Sequence, residues 1–233
     1  MNSRFSYKIF FISEFAATID FGNVIDEEIN KTVIGLFRQL CQVPLLGMIE
    51  VIPGYSSLTV YFDLTTLRKK ILPRQKIDKW ILDELNKQLQ NDPSDLPEEK
   101  NVIRIPVCYQ NDFAIDLHWM SKEKRMPAEE IILSHHSKRY RVYMLGFLPG
   151  FAYMAEVDER IATPRKPQPQ PIPAGSVGIA GRQTGIYPFN SPGGWRIIGR
   201  TPLKMFDDNK LCLLKAGDYV EFYPITKNEF KDY

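Results

Sequence analysis

Nine of the 17 prolines and 9 of the 14 glycines fall between Gly146 and Pro202, a window of 57 residues. A helix of ordinary length cannot form at that density. Proline removes a backbone donor and clashes with the preceding turn, and glycine costs about 1 kcal/mol relative to alanine inside a helix. The window is left to fold as short strands joined by turns. Its apolar runs at 176–180 and 195–198, and those that follow at 211–214 and 219–223, are short and bounded by such turns. Short strands so spaced predict a β-barrel or sandwich. A helical patch over 116–124 and 128–134 and a strand over 140–145 lead into it.

The first half reads differently. Residues 7–12 look like a strand, and Ile29, Val33, Leu36, Phe37 and Leu40 then recur at helical spacing. Asp26, Glu27 and Glu28 occupy the first turn of that helix, where its dipole favours acids. Strands at 48–52 and 58–62 flank Pro53-Gly54-Tyr55-Ser56. A second helix carries Ile77, Ile81, Leu85 and Leu89, with Pro73 separating it from a short preceding turn of helix. A strand at Val102–Val107 completes the order βαββαβ, the ferredoxin-like split pattern. Residues 91–100, with Pro93, Pro97 and four acidic side chains, read as a linker. The fold class expected is α+β, in two domains over 1–100 and 101–233.

Lys plus Arg total 30 against 28 Asp plus Glu, for a formal charge of +2. A nucleic-acid or anionic-membrane binder would show a basic patch or stripe, so neither partner is expected. Cys41, Cys108 and Cys212 lie far apart without a CxxC pair, which argues against a disulfide framework and for a reducing compartment. No uncharged apolar run reaches the 18 or so residues of a membrane span. Arg4 and Lys8 before Ile9-Phe10-Phe11-Ile12 imitate a signal peptide, but Glu14 and Asp20 interrupt the apolar stretch. A cytoplasmic protein is expected.

Three catalytic look-alikes fail. Gly194-Trp195-Arg196-Ile197-Ile198-Gly199-Arg200-Thr201 has P-loop spacing, yet Arg replaces the Lys and the interior is bulky where amides should face phosphate. Ala174-Gly175-Ser176-Val177-Gly178 approximates a nucleophile elbow, but His118, His135 and His136 all precede Ser176, the reverse of that fold's order. Adjacent His135 and His136 cannot converge on one metal, and no third ligand stands at a recognisable spacing, so no metal is expected.

The Gly/Pro window itself is too particular to be generic loop. Gly146-Phe147-Leu148-Pro149-Gly150-Phe151-Ala152-Tyr153 is followed by Thr163-Pro164-Arg165-Lys166, then by Pro173-Ala174-Gly175-Ser176-Val177-Gly178-Ile179-Ala180-Gly181. Gln183-Thr184-Gly185-Ile186-Tyr187-Pro188, Ser191-Pro192-Gly193-Gly194-Trp195 and Ile198-Gly199-Arg200-Thr201-Pro202 complete it. In order and spacing, over roughly residues 135–225, this resembles the family of the 5-oxoprolinase B subunit, also called the KipI family of sporulation-kinase inhibitors or allophanate hydrolase subunit 1. Val51-Ile52-Pro53-Gly54-Tyr55-Ser56-Ser57-Leu58-Thr59-Val60-Tyr61-Phe62-Asp63 extends the likeness into the first half. There are departures: of the family's Gly-Pro-Asp-Leu turn only Asp116 and Leu117 remain, and its early Gly-Asp pair is Ser13-Glu14 here.

The resemblance implies a ferredoxin-like N-terminal domain and a cyclophilin-like β-barrel after it. It also implies membership of an ATP-dependent complex that opens the lactam of 5-oxoproline to glutamate, with the A and C subunits of 5-oxoprolinase as partners. ATP enters as a co-substrate, and no tightly bound cofactor is expected. Some relatives instead inhibit a sensor histidine kinase, a non-catalytic alternative that shares the same loops. Such lactam chemistry calls for cations on phosphate or carboxylate and a general base. Arg165 and Arg200 are the candidate cations, because a guanidinium binds such groups bidentately, although both could equally brace loop carbonyls. Gln183 and Tyr187 are candidates to orient a polar ligand, and Trp195 to line the same face or fill a barrel end. His135 is the candidate general base, against the plainer reading that it fixes the neighbouring strand. With no self-sufficient catalytic set, the active centre is expected to be completed by the C subunit.

Overall fold

A computed structural model describes residues 4–71, 75–90 and 101–233. The linker expected at 91–100 and the break expected at Pro73 lie outside the described residues. The chain divides into two compact units, Met1–Glu99 and Lys100–Tyr233.

The first unit runs β1 (Lys8–Ser13), β2 (Ala16–Asp20), α1 (Glu27–Gln42), β3 (Met48–Pro53), β4 (Ser57–Phe62), α2 (Leu64–Ile71) and α3 (Ile77–Gln90). Its antiparallel sheet has the order β1-β2-β4-β3. Strict alternation sends Leu58, Val60 and Phe62 of β4 inward, where they meet Val33, Leu36 and Leu40 of α1 and Ile81 and Leu85 of α3. Asp26 caps α1 by accepting the Ile29 N–H at 2.9 Å, and Glu27 and Glu28 follow in the first turn. On the other face Phe10, Ile12 and Ile52 stay exposed beside a cross-strand Thr18–Thr59 hydroxyl pair 2.9 Å apart.

This corrects the βαββαβ order read from the sequence. Val102–Val107 does not return to the first sheet; it pairs in parallel with a strand of the second unit. Ala16–Asp20, which the sequence reading passed over, takes a place beside β1 instead. The element order of the first unit is ββαββαα.

The second unit contains β5 (Val102–Val107), α4 (Leu117–Lys124), α5 (Ala128–His136), β6 (Arg139–Leu145), β7 (Ala152–Ala155), β8 (Gln170–Ile172), β9 (Ser176–Ala180), β10 (Gln183–Ile186), β11 (Ser191–Gly193), β12 (Arg196–Arg200), β13 (Phe206–Asp207), β14 (Leu211–Cys212) and β15 (Tyr219–Pro224). Seven strands make one sheet in the order β12-β9-β10-β7-β6-β15-β5. It curls into a nearly closed barrel, because Cys108, just past β5, bridges Arg200 at the end of β12 with reciprocal backbone bonds of 2.8 and 3.0 Å. Gly199 permits that approach: a Cβ there would press on Val107 and the Cys108 carbonyl. Val107, Tyr140, Val142, Met154, Ile179 and Val220 fill the interior with Met120 of α4 and Ile131 of α5. A second buried layer of Phe151, Ile172, Tyr187, Trp195 and Ile197 forms a separate cluster.

Candidate functional site

Three of the nine prolines of the 146–202 window, Pro171, Pro173 and Pro192, come together around one cleft. β8 and β11 pair as a separate ribbon, with Ser191 opposite Ile172 and Pro192 opposite Pro171. Proline is tolerated there because each strand of a two-stranded ribbon has an open side that needs no donor. Pro171, Ile172, Pro173, Asn190, Ser191, Pro192 and Arg200 line a cleft of about 600 Å³. Ala174 locks two of its polar residues together: its N–H donates to Asn190 Oδ1 at 2.8 Å, and its carbonyl accepts from Arg200 Nε at 2.7 Å. The guanidinium carbon lies 5.9 and 6.0 Å from the rings of Phe113 and Phe230, which stack on each other at 4.5 Å. Arg200 is thus held at Nε and flanked by two rings, and among the described residues its two Nη groups have no protein acceptor. Ser191 Oγ is buried and also lacks a hydrogen-bond partner among them. A buried hydroxyl in that state costs about 1–3 kcal/mol. Among the described residues, no acidic side chain lines the cleft.

The other candidates are placed apart from it. Arg165 is exposed with its guanidinium 5.9 Å above the Trp195 ring. Trp195 and Tyr187 are both buried and meet Phe151 edge-to-face at 5.3 and 5.2 Å. Tyr187 Oη accepts the backbone N–H of Trp195, and burial raises its pKa. The two rings form a floor beneath Arg165. Gln183 pairs with Ala180 on β9 while Arg200 pairs with Ser176. Four residues of strand separate those positions, about 13 Å at the usual rise.

His135 does not suit the role of general base expected for it. It is fully buried, with Tyr109 Oη 2.9 Å from Nδ1 and Thr184 Oγ1 2.9 Å from Nε2. Thr184 donates onward to the Gly178 carbonyl at 3.1 Å. The threonine proton is therefore committed, Nε2 carries the imidazole proton, and Nδ1 accepts from Tyr109. Phe222 and Tyr140 stack on the ring at 4.7 and 5.4 Å, and Tyr140 Oη donates to the His135 carbonyl. Burial, with a smaller repulsion from His136, pushes its pKa down to about 3. A neutral ring with both nitrogens satisfied pins α5 to the barrel, and no lining residue of the cleft touches it.

A set of buried charges escaped the sequence reading. Lys166 Nζ lies 2.7 Å from Asp116 Oδ2 and donates to Gln170 Oε1 at 3.0 Å. The same carboxylate oxygen accepts the Ile197 N–H at 2.8 Å, and Arg196 Nη1 lies 3.7 Å from Oδ1. Arg196 stacks over Trp119 at 3.6 Å, with its Nε buried and unpaired among the described residues. Two cations and one carboxylate thus join α4, β12 and the loop that carries Arg165.

A family model described as the carboxyltransferase domain, subdomain C and D, matches residues 7–214. The chain is 39% identical to the B subunit of 5-oxoprolinase from Bacillus subtilis (strain 168), over 97% of this chain and 96% of that one. The chain belongs to the family of 5-oxoprolinase B subunits. Among solved structures, TTHA0988 superposes with a TM-score of 0.75 at 34% identity, covering 90% of this chain. This chain spans 40% of the length of that one. The urea amidolyase of K. lactis shares the fold, with a TM-score of 0.77 at 17% identity over 97% of this chain and 15% of its own.

The signal available in the sequence for the buried charges was Lys166 beside Arg165 and Arg196 beside Trp195, basic residues inside otherwise apolar or Gly/Pro-rich runs.

Proposed function

We infer that this chain is the B subunit of an ATP-dependent 5-oxoprolinase, and that it helps open the lactam of 5-oxoproline to L-glutamate together with the A and C subunits of that enzyme. The observation that carries this reading is the 39% identity to the Bacillus subtilis protein, which runs through nearly the whole of both chains. The chemistry fits a split site. The cleft at Arg200 offers a fixed guanidinium and rigid apolar walls, a place to hold an anionic substrate or phosphorylated intermediate. It offers no phosphate loop and no base, so nucleotide and proton transfer fall to the partners. The reading places the protein in the cytoplasm, where ATP is available; the free thiols of Cys41, Cys108 and Cys212 are compatible with that compartment.

Reconstitution tests it. The purified chain alone is expected to show no 5-oxoproline-dependent ATPase activity, and turnover is expected on adding the A and C subunits. Binding to a sensor histidine kinase without turnover in any reconstitution would favour the inhibitor reading instead. Arg200→Ala is expected to lower turnover of the complex about 10-fold or more, the loss of roughly 1.4 kcal/mol of transition-state binding. A fall in Tm with turnover retained at low temperature would assign Arg200 to bracing the Ala174 loop. Loss of co-purification with the C subunit at unchanged Tm would make this face the interface of the complex.

A further inference from the structure

We propose that the cleft of Pro171, Pro173, Asn190, Ser191, Pro192 and Arg200 is a binding site for the carboxylate of a small cyclic acid, with Ser191 and Asn190 as specificity-determining residues beside Arg200. This rests on the function proposed above and names the part of the substrate that this chain grips.

Three observations converge. The first is an inventory of donors: among the described residues Arg200 keeps two Nη groups without a protein acceptor, Ser191 keeps a buried hydroxyl without a partner, and Asn190, whose Oδ1 is taken by the Ala174 N–H, has only its amide donors left to offer. With no acidic residue among the described lining residues, those donors are left to water or to an anion brought from outside, and a charge-assisted anion contact is the stronger of the two. Secondly, the donors are fixed relative to one another, since Asn190 and Arg200 are tied to the N–H and C=O of the same residue, Ala174. Such a frame matches the planar, two-oxygen face of a carboxylate, which a guanidinium meets with parallel bonds. Thirdly, the remaining walls are three proline rings, with no side-chain torsions to freeze, and Ile172, already buried at 1% exposure. They present apolar surface to a compact ring. One guanidinium without a second cation is a poor match for a phosphate dianion, so the carboxylate is the favoured anion.

The test uses the full chain and the reconstituted complex in parallel. Titration calorimetry on the chain compares 5-oxoproline, 2-pyrrolidone (the same lactam without its carboxylate) and inorganic phosphate. The expected result is that 5-oxoproline binds, and that 2-pyrrolidone and phosphate bind at least about 10-fold more weakly. Ser191→Ala is expected to weaken 5-oxoproline several-fold with Tm unchanged or raised, because it removes an unpaired hydroxyl. Arg200→Lys is expected to weaken it about 10-fold, because an ammonium cannot make the paired contact. In the complex, both variants should raise KM more than they lower kcat.

Equal affinity for 5-oxoproline and 2-pyrrolidone, or for 5-oxoproline and phosphate, overturns the proposal. So does a complex that turns over 5-oxoproline with KM untouched by Ser191→Ala and Arg200→Lys, and in that case the function stands while the cleft assignment falls. Carboxylate-dependent binding by the chain, with no turnover in any reconstitution, leaves the cleft in place and overturns the function.

Discussion

The sheet of the first unit is covered on one face and, apart from β2, largely open on the other, while the strands at the centre of the second unit are covered on both sides. In β4 the side chains alternate between buried and half-buried, and β1 alternates between half-buried and exposed. In β9 every residue is buried, and in β10 all but Gln183 are. The difference teaches what each unit depends on. A sheet with one wet face is specified by period-two patterning, whereas a doubly covered sheet needs small residues and satisfied polar groups inside. Gly178 and Gly185 let the Trp195 ring layer sit directly on the backbone. The second unit also buries Asp116, Lys166 and His135, while the core of the first is apolar apart from Asn30 and a few hydroxyls. Its stability should therefore respond to charge in a way the first unit's does not.

The largest effect is expected at the Asp116–Lys166 pair. Asp116→Ala leaves Lys166 and Arg196 without their carboxylate in a setting where Lys166 is 8% exposed. Removing one partner of a buried pair costs about 3–5 kcal/mol. Urea denaturation should show the second unit losing that amount, and Asp116→Leu combined with Lys166→Met should recover most of it. Equal stability of Asp116→Ala and wild type would show the pair to be solvated and the contrast between the units to be overstated.

Acid is the next lever. The folded pKa of His135 is about 3 against an ordinary value of 6.5, so the unfolded chain takes up the proton first. Stability is constant above about pH 6.5 and falls as pH drops toward 3, at about 1.4 kcal/mol per pH unit for this single group. His135 lies in the second unit, so acid should melt that unit first. Proton uptake would also set an Nδ1 proton against the Tyr109 hydroxyl. Following Tyr109 or His135 resonances by NMR from pH 7 to 4 checks this; a first unit that melts at higher pH than the second would overturn it.

A smaller response is expected at the surface of the same unit. Arg160 bonds Asp158 through Nε and Nη2 and reaches Glu130 at 3.2 Å, and its guanidinium holds the Asp158 carboxyl down at a pKa of about 2. All three side chains are about a third or more exposed, so water and salt screen the network and it adds little to stability. Arg160→Ala should shift the urea midpoint only slightly, and less in 1 M salt. A loss near that of Asp116→Ala would mean burial is not what separates the two kinds of pair.

These contrasts follow what was legible in the chain. α1 and α3 were readable because Val33, Leu36, Ile81 and Leu85 repeat at helical spacing on a one-sided surface. β2 was not, because Glu14-Phe15, between it and β1, contains no glycine or proline to mark a tight turn. β5 was read as a strand but given to the wrong sheet, since its parallel partner β15 lies more than 100 residues away and periodicity carries no partner information. Arg200 was legible as a cation beside the Gly/Pro turns, although it ends strand β12 rather than lying on a loop. Ser191 and Asn190 were not, because their place in the cleft depends on a ribbon between β8 and β11 whose paired prolines read as turn. His135 was visible as a histidine, but only packing shows that its nitrogens are already occupied.

The smallest effect sharpens the comparison from the side of the first unit. Ile52 on β3 faces out, 41% exposed, directly across from Thr59, which already shares a hydroxyl bond with Thr18. Ile52→Thr would place a third hydroxyl in that row. It removes some half-covered apolar surface but adds a Thr–Thr cross-strand pair, each contribution a fraction of a kcal/mol, and the sum should lie within about 0.5 kcal/mol of wild type. Val60 of β4 faces the other way and is fully buried against the helices. Val60→Thr, the same kind of change on the neighbouring strand, buries a hydroxyl in an apolar layer and should cost about 1–3 kcal/mol. If both variants are equally mild, the covered face is not the apolar core described. If both are equally costly, the outer face carrying Phe10, Ile12 and Ile52 is not open to water, and the two sheets differ less than their burial patterns indicate.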